Sequence, residues 1–165
     1  MESSRIRTWS EGIGLAAVIA SLVFVGLEVR QNAEATRAAT AQHLSEGWLQ
    51  WNLTMADPAA WSAVSRMFEF NDISKARFED RAAVSSLMRT LFWNWSNLYW
   101  HYLRGDLDPE LWDAVRRNIE GNLLSTSERD ADWRRLLIWG WEVNRHMYHE
   151  KFQKLFDEMR VRSGA

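Results

Sequence analysis

The chain contains no cysteine. That removes disulfides, thiol nucleophiles, iron–sulfur ligation and cysteine-type zinc sites. It leaves the compartment open, because a helical bundle needs no covalent staples. Proline is nearly missing too, with two in 165 residues, alongside only eight glycines. Long helices can therefore run without a breaker. Neither sign of charge dominates: 20 basic and 22 acidic side chains leave a net charge of −2. No one-signed field is available to draw in nucleic acid. The pairs Arg116-Arg117 and Arg134-Arg135 sit close to acids and read as solvated helix faces. Glycine-rich phosphate loops, nucleophile elbows and the HExxH zinc motif are missing. No nucleic-acid partner, catalytic set or cofactor is expected.

What is present is a globular composition, 47% hydrophobic and 25% charged, at a length suited to one ordinary domain. Tryptophan is in excess, with 11 residues. Its large ring and polar N–H suit cores, partner interfaces and membrane–water boundaries alike.

One segment is purely apolar. Residues 12–27 read GIGLAAVIASLVFVGL, without a charge, between Glu11 and Glu28. As a helix these 16 residues span about 24 Å, somewhat short of a bilayer core of about 30 Å. Trp9 suits the interface, and Arg7 and Arg30 can snorkel outward to extend the span. A signal peptide is a competing reading, but Glu11 interrupts its basic start and no small-x-small site follows. A buried core helix of a soluble protein is the third. The membrane helix is the favoured expectation. Gly12, Ala16 and Ala20 recur every four residues and form a candidate face for close helix association in lipid. Arg5 and Arg7 before the segment balance Arg30 and Arg37 after it, so the orientation stays undetermined.

The rest reads as helix throughout. Residues 28–56 hold good helix formers and continue the apolar helix, with Gly47 as a candidate kink and His43, Trp48 and Trp51 on it. Asp57-Pro58 is a cap followed by a first-turn proline and starts a helix to about residue 70. A third helix over about 75–103 carries the stripe Ser85, Met88, Phe92, Trp95, Tyr99 and Tyr102, at three- and four-residue spacing. Beyond Leu91 it is apolar or aromatic nearly all round, which suits a bundle centre. Gly105 closes it and Asp108-Pro109 opens a fourth helix over 109–124. Ser125 to Glu128 has the capping-box pattern, opening a last long helix over 128–161. The expectation is an all-α protein of about five helices. Its first helix begins as a single membrane-spanning segment and packs into a helical bundle. The organisation is a 1–56 anchor region followed by a tryptophan-rich bundle over 57–165.

With LEVRQN at Leu27 to Asn32, Ala35 and Ala38 after it, and NLYWHYLRGDLDPELW at Asn97 to Trp112, the chain resembles a family of small bacterial helical proteins of uncharacterised activity. The aromatic run from Trp133 to Phe156 completes the pattern. The resemblance covers most of the chain. It implies a membrane-anchored bacterial protein and supplies no catalytic residue.

Three constellations could carry function. Glu142, His146, His149 and Glu150 would share one face of an unbroken last helix, where imidazole and carboxylate could hold a metal. The Glu-x-x-His pairs of di-iron bundles are missing, and a solvated face with Glu142–His146 pairing is the plainer reading. Asn94 and His101 lie one heptad apart and read as a buried, paired polar couple rather than a ligand contact. Trp93, Trp95 and Trp100 point in different directions, so some of them must meet solvent, lipid or a partner. They are the candidate docking residues. The leading expectation is a non-catalytic accessory or scaffolding subunit in a bacterial inner membrane, single-pass, self-associating as a homo-oligomer or docking onto a larger membrane complex. The alternatives are a metal- or cofactor-binding bundle enzyme using the His146/His149 face, and a soluble helical binding module.

Overall fold

The structure is a computed structural model; it describes the backbone of residues 2–124 and 128–164, and side chains from residue 14 onward except at 43, 128 and 129. Among the described residues there is no strand. The helices are α1 (Glu2–Ala56), α2 (Pro58–Phe68), α3 (Phe78–Arg104), α4 (Pro109–Leu124), α5 (Glu128–Asn144) and α6 (Glu150–Arg162), with 3-10 turns at Ile73–Lys75 and Arg145–Met147. The expected all-α class holds; the count is six rather than five.

Where the chain turns, the local chemistry is that of the caps. Asp57 stands in extended backbone and its Oδ1 accepts from the Ala59 amide at 2.8 Å, with Pro58 behind it. Asp108 does the same for Glu110 at 2.8 Å. These caps satisfy amides that the first helical turn leaves unpaired. Gly105 takes a left-handed φ of 75°, where a side chain would be strained, and its amide and that of Asp106 bond back onto α3. The expected capping box at Ser125 lies outside the described residues. The third helix starts at Phe78, later than expected, because Asp72 caps a separate 3-10 turn first.

The sixth helix comes from a break in the expected 128–161 helix. No glycine or proline lies at the break, residues 145–149. Instead Tyr148 is extended, with its ring buried and its hydroxyl donating to the Arg89 carbonyl at 3.1 Å. In an unbroken helix Trp141 and Phe156 would stand about 22 Å apart along the axis. Their ring centroids are 4.5 Å apart. Ion pairs of Glu142 with Arg160 and of Arg145 with Asp157 show that α6 runs antiparallel to α5. Burial of Tyr148, Phe152 and Phe156 against Trp141 outweighs the local preference to stay helical.

By contacts the chain divides into two units, residues 1–39 and 40–165, with the boundary inside α1. In the first unit every described side chain is exposed. The second is the bundle. Its centre is α3, which packs against α2, α4, α5 and α6. Val84, Met88, Leu91, Phe92, Trp95 and Leu98 are buried along it. Leu44 and Trp51 at the C-terminal end of α1 are buried in the same core. Gly47 sits against Asn94, whose amide donates to the Gly47 carbonyl at 3.4 Å. A glycine read as a candidate kink thus marks a close approach. Gly140 does so more sharply: a Cβ there would lie 2.5 Å from Met88 Cγ, so α5 crosses α3 at a distance only glycine permits.

Candidate functional site

The first feature is the apolar stretch of α1. It is the one helix, among the described residues, long and apolar enough to cross a membrane. Leu15, Val18, Ile19, Leu22, Val23, Phe24, Val25, Leu27 and Val29 are each more than half exposed. Leaving such side chains in water forgoes about 1.5–3 kcal/mol apiece. Ser21, the lone hydroxyl within it, donates back to the Ala17 carbonyl at 2.9 Å, so no polar group is left open. Immediately beyond it Arg30 pairs with Glu34, and Gln42 donates to Glu46, both i,i+4 contacts typical of a helix surface in water. Ala16 and Ala20 of the expected association face are exposed; the Gly12 position lies outside the described side chains.

The second feature is a cleft of about 380 Å³ between α3 and the start of α6. Trp93 and Trp100, read from the sequence as pointing in different directions, are one heptad apart on α3 and so share a face; both line the cleft and are 53% and 41% exposed. Tyr148 and Phe152 form its buried apolar side. His149 lies against Trp100, with centroids 5.1 Å apart. Trp95, grouped with the docking candidates on sequence, is in the core at 1% exposure and packs edge-on to Phe92, so it is not a surface residue. Its direction on α3 sends it toward α6, where Phe156 stacks on it.

The proposed metal face is dispersed by the break after Asn144. Glu142 lies in the last turn of α5, paired with Arg160. His146 lies exposed in the 3-10 turn. His149 caps α6, its Nδ1 accepting from the Lys151 amide at 3.2 Å, and Glu150 is the first residue of that helix. Among the described residues no group of three or more His, Asp or Glu side chains is placed to hold a metal ion. His43 lies outside the described side chains. Asn94 is paired with Gly47, whereas the buried His101 Nδ1 has no hydrogen-bond partner and lies 3.8 Å from Asp106.

Burial pushes the Tyr148 phenol well above the usual tyrosine range. The hydrogen bond from Arg66 holds the Asp80 carboxyl below the usual carboxylate range, against the opposing effect of burial. Both groups hold the bundle together: the Tyr148 hydroxyl is spent on the Arg89 carbonyl, and the Asp80 carboxylate on Arg66. The sequence offered Trp93 and Trp100 as docking candidates but carried no signal for Ser96, Asn97 and Lys151, which line the cleft only because α6 folds back. No protein-family model, curated protein or solved structure matches the chain.

Proposed function

We propose that this chain is a non-catalytic accessory or scaffolding subunit, held by one membrane span in a bacterial inner membrane, where it self-associates or docks onto a larger membrane complex. The observation that carries this reading is the run of apolar side chains from Leu15 to Val29, each more than half exposed on a continuous helix. In water that surface has no counterpart to cover it; in a bilayer it needs none. The small residues Ala16 and Ala20 leave room for a second helix there. Exposed Trp93 and Trp100 add a second apolar surface on the bundle. The metal-enzyme alternative draws no support from the dispersed Glu142, His146, His149 and Glu150.

The test is extraction of the protein from its own membranes in mild detergent, followed by sizing and mass spectrometry of what travels with it. Elution in a defined assembly, of like or unlike chains at fixed stoichiometry, is the expected result. A monomer in the soluble fraction overturns both anchor and subunit.

A further inference from the structure

The cleft beside Trp100 has a chemistry of its own, independent of the anchor. Its walls are rings: Trp93 and Trp100 at the mouth, with Tyr99, Tyr148 and Phe152 behind. At about 380 Å³ it lies at the small end of ligand pockets, with room for a fused ring system. The polar groups around it are all able to donate. The Lys151 ammonium has no ion-pair partner, and the side chains of Ser96 and Asn97 have no hydrogen-bond partner, among the described residues. His149 Nδ1 accepts from the Lys151 amide and so carries no proton, which leaves Nε2 as an N–H donor. Among the described residues no carboxylate lines the cleft. Flat aromatic walls, unspent donors and one unpaired cation select a flat ring bearing an acceptor-rich negative charge.

We propose that this cleft binds a small planar aromatic carboxylate, its ring stacked between Trp93 and Trp100 and its carboxylate held by Lys151 with help from the His149 Nε2 proton. Stacking sets the plane of the ligand. The ammonium distinguishes an acid from a neutral ring of the same shape.

The test uses the full chain in lipid nanodiscs, labelled with 5-fluorotryptophan. Trp93→Phe and Trp100→Phe identify the two fluorine resonances. The probes are 2-naphthoate and its neutral isostere 2-naphthalenemethanol, each read against empty discs. The expected result is saturable shifts of both resonances with 2-naphthoate, at an affinity about tenfold or more above the alcohol, the size of one charge-assisted contact. Lys151→Met, at an exposed position of α6, should abolish that preference. Trp100→Ala, followed at the Trp93 resonance, should weaken the acid about tenfold. Shifts no larger than bulk lipid partitioning produces, equal affinity for acid and alcohol, or an unchanged preference in Lys151→Met each overturn the proposal.

Discussion

The indole N–H of Trp141 donates to the Asp157 carboxylate at 2.8 Å, across 16 residues and a helix reversal. The other oxygen of that carboxylate accepts from Arg145 at 2.8 Å. One acid therefore satisfies a fully buried tryptophan and pins the turn that lets α6 fold back. Asp157→Ala should cost about 1–3 kcal/mol, from the loss of two charge-assisted bonds and an indole left unpaired. Asp157→Asn keeps an acceptor for the indole and should cost less. Denaturant unfolding of both variants, followed by near-ultraviolet circular dichroism, measures the difference.

Gly140 against Met88 gives a second prediction. Gly140→Ala places a methyl group inside the Met88 side chain and should destabilise by about 1–3 kcal/mol despite the better helix propensity of alanine. Met88→Ala alone opens a cavity and also destabilises. The double variant should be more stable than the sum of the two losses implies. A double-mutant cycle by thermal unfolding reads that coupling directly; strict additivity would remove the contact as an explanation.

Stability should fall in acid through Asp80. This carboxylate, 5% exposed, accepts from Arg66 at 3.0 Å through each oxygen. Its folded pKa lies below the unfolded value, so the unfolded chain takes up the proton first. The contribution is complete above the unfolded value of about 3.9 and is lost as pH falls through the folded one. Asp72, which accepts from the Ser74 hydroxyl and amide, adds in the same direction. The Tm of wild type should exceed that of Asp80→Asn at neutral pH, and the gap should narrow below about pH 4.

For the anchor, the double variant Val18→Arg, Leu22→Arg places two charges in the middle of the exposed apolar run. Each arginine opposes insertion by about 2.5–3.5 kcal/mol at a span's centre. The variant should move from the carbonate-washed membrane fraction to the supernatant. Retention in the membrane would mean that another part of the chain holds it there.

Much of this was legible locally. Asp57-Pro58, Asp108-Pro109 and Gly105 signal their helix ends by chemistry that acts over two or three residues, and the helices end there. The apolar run after Glu11 is a matter of composition, and the helix through it is continuous. The reversal at Tyr148 was not legible, because residues 145–149 contain no breaker. What breaks the helix there is the aromatic surface of Trp141 and Phe92, which belongs to other elements. That reversal also dispersed the histidine face and built the cleft.

Local sequence thus determined which stretches are helical, where most of them stop, and that one of them is apolar enough to enter lipid; capping and side-chain transfer energies act within a turn or a segment and need no partner. Tertiary structure alone decided that Trp95 is core while Trp93 and Trp100 are surface, that Gly140 is a crossing point, and that the last helix is two. Those outcomes depend on which side chain stands opposite, and helical periodicity says only which residues share a face, not what that face meets.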